Sequence, residues 1–136
     1  MIIEFFVPCL PTAKGRPRFA RRGNFVQAYT PAKTQQAEYS FLALAMAHKP
    51  TTPIDAPIEL TLEFYMPKPQ TMTKKLRAIE NLSHTKKPDI DNLTKLVVDS
   101  LNGIFWVDDS RIWHARAFKV YADNPGVRVR VEVVKP

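Results

Sequence analysis

The chain has 136 residues, a hydrophobic fraction of 45%, 20 Lys/Arg against 13 Asp/Glu, and a formal net charge of +7. That length predicts one domain, residues 1–136, with apolar content enough for a core, which excludes a disordered tail. A lone cysteine, Cys9, excludes an intrachain disulfide framework and points to a reducing cytoplasm, and no apolar run approaches the roughly 20 residues of a membrane span.

Ile2–Val7 reads as a first strand rather than a leader, because no positive segment precedes it. A polar loop is expected from Pro8 to about Arg22, and Asn24–Tyr29 as a short strand closing a hairpin. Thr30 then N-caps a helix whose first residue is Pro31, running to about His48, with Ala37, Phe41, Leu44, Ala45 and His48 at helical spacing. After a Pro-rich connector at 49–57, Ile58–Met66 alternates: Ile58, Leu60, Leu62, Phe64 and Met66 share one face. Residues 67–88 are basic and bounded by prolines, with a short helix predicted over Thr73–Leu82. A second main helix starts at Asp89 or Ile90 and runs to Asn102, with Leu93, Leu96, Val97, Leu101 and Ile104 as its buried stripe and Gly103 as its left-handed terminator. Asp108–Ser110 reads as a turn, and Arg111–Tyr121 and Val127–Val134 as antiparallel strands joined at Asp123–Gly126. This order predicts an α+β domain, two main helices packed on one face of a small mixed sheet.

Charge is unevenly spread. Residues 1–88 are net +7, residues 89–113 net −3 and residues 114–136 net +3. An acidic island in a basic chain suits a metal-dependent nuclease: basic surroundings attract phosphate, and clustered carboxylates attract a divalent cation. Asp89 and Asp91 stand at a helix entrance; Asp108 and Asp109 follow that helix. If residues 105–109 run back along the helix as an extended strand, the two pairs converge into one metal site. Mg²⁺ takes oxygen ligands of this kind, polarises phosphate and activates water. Lys95, one turn after Asp91, is placed to stabilise phosphate charge, with Asp99 to hold it. Each residue also has an ordinary reading: Asp89 as a helix cap, Asp91–Lys95 as a surface ion pair, Asp108–Asp109 as a plain turn. The combination in one window favours the metal site.

Other chemistries fail. Leu93 and Thr94 stand where a calcium loop needs an acid or amide and a glycine, no GxxxxGK[ST] run exists, and Cys9, His48, His84 and His114 lack zinc spacing. Cys9 suits a buried filler, and His114 a surface or packing role.

The run KPDIDNLTKLVVDSLNGIFWVDDSRI, residues 87–112, resembles the signature of RusA-type Holliday junction resolvases, common in bacteriophages and prophages. Its parts are Asp-x-Asp-Asn, a Lys four residues after the second Asp, Asp-x-Leu-Asn-Gly and an Asp-Asp pair; Pro11–Arg18 supplies the family's Pro-x-x-Lys-x-Arg-Pro-Arg. The resemblance implies catalytic and metal-binding acids at Asp89, Asp91 and Asp109, with Asp108 as the alternative to Asp109, and a functional lysine at Lys95. It also implies a homodimer using Mg²⁺ (Mn²⁺ substituting) to nick two opposed strands of a four-way junction in recombination and repair. Two symmetric cuts suit a two-fold dimer. Lys14, Arg16, Arg18, Arg21 and Arg22 are expected to clamp phosphates, and Lys86 and Lys87 to carry DNA toward the acids. The basic stretch from Lys68 to Lys87 leads the same way, while Phe19 and Phe25 are expected in the core. The rival readings are a non-catalytic nucleic-acid-binding module and a metal-dependent nuclease for flaps or other branched DNA.

Overall fold

A computed structural model describes residues 1–29 and 31–135. The elements in chain order are β1 (Ile2–Pro8), β2 (Arg18–Arg22), β3 (Phe25–Tyr29), α1 (Ala32–Ala45), β4 (Ile58–Pro67), α2 (Lys74–Arg77), α3 (Ile90–Leu101), β5 (Ile112–Ala122) and β6 (Gly126–Val133). Four strands form a mixed sheet in the order β1-β6-β4-β5, and β2 and β3 make a separate two-stranded ribbon. The expected α+β arrangement is present.

β4 lies inside the sheet, between β6 and β5, and its alternation is complete. Ile58, Leu60, Leu62, Phe64 and Met66 are all buried on one face. They meet Leu93, Leu96, Val97 and Leu101 of α3, and Phe41 and Ala45 of α1. Each fully buried aliphatic or aromatic side chain contributes about 1.5–3 kcal/mol, so this face fixes where α3 lies. The opposite face of β4, with Glu59 and Glu63, is only half-buried.

Several expectations need correction. Residues 18–22 are not loop but strand, the partner of β3 in register Arg18↔Tyr29 to Arg22↔Phe25. Phe19 and Phe25 are exposed, at 70% and 76%, on a ribbon that is separate from the main sheet and its core. Pro31 is the N-cap and Ala32 the first helical residue; the proposed cap at Thr30 lies outside the described residues. Leu44 is exposed, and His48 is exposed on a 3₁₀ turn with its ring stacked on Phe5. The helix expected over 73–82 shrinks to the single turn Lys74–Arg77, capped by the Thr73 hydroxyl. Strands β5 and β6 run antiparallel but do not pair: β4 lies between them, antiparallel to β6 and parallel to β5. The apolar face of α3 makes the β4-to-β5 connection a crossover, so β5 lands on the far side of β4 and Asp123–Pro125 must step across.

The segment after α3 differs most in consequence. Gly103, at φ +78°, reverses the chain at once. Phe105 and Trp106 then bury completely, and Ile54 bonds across to Phe105 and Val107. Residues 105–109 therefore do not run back along the helix.

Candidate metal and DNA site

The N-terminus of α3 faces the C-terminal half of β5. Asp89, Ile90 and Asp91 share an open groove with His84–Lys87 and Ala117–Lys119. Lys119 fastens this corner: its ammonium donates to the carbonyls of Lys86 and Pro88, both at 2.8 Å. His84 and Leu82 pair with the outer edge of β5 through His84 N–H to Lys119 O (3.1 Å) and Tyr121 N–H to Leu82 O (2.9 Å). Burial, and next the charge of Lys119, hold His84 below its ordinary pKa, partly offset by its own backbone.

Asp89 occupies the N-cap position, yet its side chain makes no capping bond. It accepts instead from Lys87 Nζ at 3.0 and 3.2 Å, out in solvent. Asp91 is exposed in the first turn. Lys95 pairs with Asp99 at 3.5 Å, as expected, and not with Asp91. Among the described residues Asp91 has no side-chain partner, and a cation at Asp89 would take the place that the Lys87 ammonium holds.

Asp108 and Asp109 sit at the other end. Asp108 Oδ2 caps a 3₁₀ turn by accepting from Ser110 N–H at 2.9 Å; the Ser110 hydroxyl first, and then this N–H, lower the Asp108 pKa. Asp109 Oδ1 accepts from the indole N–H of the fully buried Trp106 at 2.8 Å, leaving Oδ2 unused by that bond. Arg111 anchors the turn by donating to Asp55 Oδ1 at 2.7 Å. Between this turn and the Asp89–Asp91 corner lies the length of β5 from Ile112 to Phe118, about 20 Å at 3.3 Å per residue. The expected convergence within one chain does not occur. Among the described residues, no three ligating side chains stand close enough to hold a metal.

Of the expected DNA-contacting cations, Lys14 is already engaged. It bonds Glu38 and Asp99 at 2.8 Å each. Burial pulls its pKa down, but those two carboxylates outweigh that and raise it. Arg16, Arg18, Arg21, Arg22, Lys86 and Lys87 are exposed. Sequence reasoning missed Trp106 and Lys119. A tryptophan three residues before Asp109 was a readable signal; Lys119 had none, because its partners lie more than thirty residues away.

The family model described as "Endodeoxyribonuclease RusA" matches residues 8–132. An uncharacterized protein of Bacillus subtilis (strain 168), YqaN, is similar: 34% identical over 137 aligned positions, covering 97% of this chain and 96% of the relative. Among the described residues, no helix is long and apolar enough to cross a membrane.

Proposed function

The chain belongs to the RusA endodeoxyribonuclease family, and from that premise we propose that it is a Mg²⁺-dependent, cytoplasmic, homodimeric resolvase that nicks two opposed strands of a four-way DNA junction during recombination and repair.

The observation that carries the reading is the division of the acids between the two ends of a free sheet edge. β5 is an edge strand of the main sheet. Its outer edge is covered from Lys119 onward by residues 82–84, which leaves 112–118 unpaired on that side among the described residues. Trp113 (61%) and Phe118 (44%) are exposed along this stretch. An open edge with apolar side chains invites a second strand. The operation that closes such a contact is a two-fold axis. Antiparallel pairing centred on Ala115 sets Ile112 opposite Phe118 of the partner subunit. Asp109, three residues before Ile112, then falls beside Asp89 of the partner subunit and Asp91 of the partner subunit. Each dimer gains two composite sites, matching the two-fold symmetry of a four-way junction.

The residues fit a hard divalent cation: three carboxylates, one uncapped and exposed, one exposed in a helix's first turn, one held by an indole with an oxygen to spare. Bound there, Mg²⁺ would supply activation of the attacking water and neutralisation of phosphate charge. The protein residues do the positioning. Lys95, 62% exposed at its side chain, offers its ammonium to the phosphate. Lys86 and Lys87 hold the neighbouring backbone of the DNA. Trp106 and Lys119 fix the two halves of the acid set. Asp109 is the better of the acidic pair as a ligand, because Asp108 is spent on its own turn.

The test is cleavage of synthetic four-way junctions, flaps and linear duplexes, with Mg²⁺ and with chelator. Fast metal-dependent cutting of the junction is expected, with the other two slower. Equal rates on all three remove the resolvase reading, cutting in chelator removes the metal, and undiminished cutting by Asp91→Asn removes the acid site.

A further inference from the structure

The β2–β3 ribbon remains without a role in the composite site. Every residue of β3 is exposed, and among the described residues no backbone pairing joins the ribbon to the main sheet. An isolated two-stranded ribbon is marginal in water, and this one carries exposed apolar side chains on both faces, Phe25 on one and Phe19 and Val26 on the other. Phe19, Phe25 and Val26 are each at least 70% exposed.

Which partner fits is set by charge. No acid occurs from Phe5 to Ala37, while Lys14, Arg16, Arg18, Arg21, Arg22 and Lys33 all do. Lys14 is engaged by Glu38 and Asp99, but an apolar protein partner would not need the other five cations; a polyanion would. Cross-strand pairing interleaves the two kinds of side chain. Arg18–Tyr29 and Arg22–Phe25 are neighbours on one face, and Arg21–Val26 and Phe19–Ala28 on the other. Arginine for phosphate beside an aromatic ring for a base is how proteins grip unpaired nucleotides.

The root of the ribbon is fixed next to the acids. Lys14 N–H donates to Asn92 O at 2.9 Å, one residue from Asp91, and the Lys14 ammonium binds Asp99 on the same helix. Gly15 N–H donates to the buried Thr34 hydroxyl at 3.0 Å. From that root each five-residue strand reaches about 16 Å, beyond the roughly 12 Å width of a DNA major groove.

We propose that the β2–β3 ribbon is a branch-point arm, with Phe19 and Phe25 stacking on bases unpaired at the crossover and Arg18, Arg21 and Arg22 holding the flanking phosphates. The inference rests on the branched-DNA reading above and adds the element that tells a branch from a duplex.

The experiment compares wild type with Phe19→Ala/Phe25→Ala for binding of a four-way junction and a linear duplex in chelator, where no cutting occurs. A junction carrying 2-aminopurine beside the crossover reports stacking. Both rings are exposed, so the variant is expected to melt within a few degrees of wild type, and sedimentation checks that it keeps the same oligomeric state. Junction affinity should fall about tenfold or more, duplex affinity should change little, and the 2-aminopurine quenching should be lost. If the variant binds the junction and quenches as wild type does, the arm is wrong while the nuclease reading stands. If the variant loses its dimer, the arm is a clasp between copies and the proposal is overturned. If wild type itself does not prefer the junction, the functional reading fails first.

Discussion

Mixing two inactive variants provides a stringent test of the composite site. Asp91→Asn removes an acid at the α3 entrance; Asp109→Asn removes the one held by Trp106. About 20 Å of β5 separates them in one chain, far beyond any shared coordination sphere. In a two-fold dimer with sites built across the axis, each variant alone has both sites damaged. A mixed dimer places both lesions in one site and leaves the other intact. Random exchange makes about half of the dimers mixed, so about a quarter of wild-type sites should be restored. The assay is a plasmid carrying an extruded cruciform, with the two chains co-refolded and mixed dimers verified by mass. One working site nicks one strand, so the product should be relaxed circle rather than the linear plasmid of a paired cut. If verified mixed dimers are as inactive as either parent, the acids do not act across the axis and the edge-pairing argument is refuted.

Trp106→Phe keeps a ring in the core but deletes the bond to Asp109; it should weaken Mn²⁺ binding about 10–100-fold beyond what its lowered melting temperature explains, measured by titration of the folded dimer, and unchanged affinity would remove Trp106 as a positioning residue. His84 is favoured neutral by the fold, its pKa held under the ordinary 6.5, so its contribution to stability is present above that value and lost as pH falls through the folded pKa. Urea unfolding at pH 7.5 and pH 5 should therefore show a loss on acidification that His84→Gln reduces; identical pH dependence in both proteins would contradict this. Gly126→Ala places a Cβ 2.6 Å from the Val7 carbonyl oxygen and 2.2 Å from the Phe6 ring, so β1 must shift and stability should fall by about 1–3 kcal/mol in thermal melts, with a neutral result refuting the close approach.

Much of the fold was legible because it follows from local periodicity. The two-residue alternation of Ile58–Met66 names the inner face of the central strand, and the stripe Leu93, Leu96, Val97, Leu101 names the buried side of α3. Gly103 as helix terminator was readable from its position alone. What local pattern does not carry is partnership. Alternation in Val127–Val133 says that β6 is half-buried, not that it pairs with β4 and β1 in preference to β5. Phe19 and Phe25 look like core residues by type, and it is the separation of their ribbon from the main sheet that leaves them exposed.

The separation of the acids within one chain was not legible for a related reason. Acids close in sequence invite a picture of one chain folding them together, and the acids here do lie within about two dozen residues. Yet α3 is a rod of about 18 Å, and its burial against β4 leaves no freedom to fold its ends toward each other. The turn at Gly103 then spends the following residues on burying Phe105 and Trp106 rather than on returning to Asp91. The same packing that makes the domain stable thus keeps its acids apart. On the proposed reading, the second half of the site comes from another chain, with the open edge of β5 as the line of contact. Junction cleavage coupled in this way to dimer formation would keep an isolated chain from cutting DNA at all.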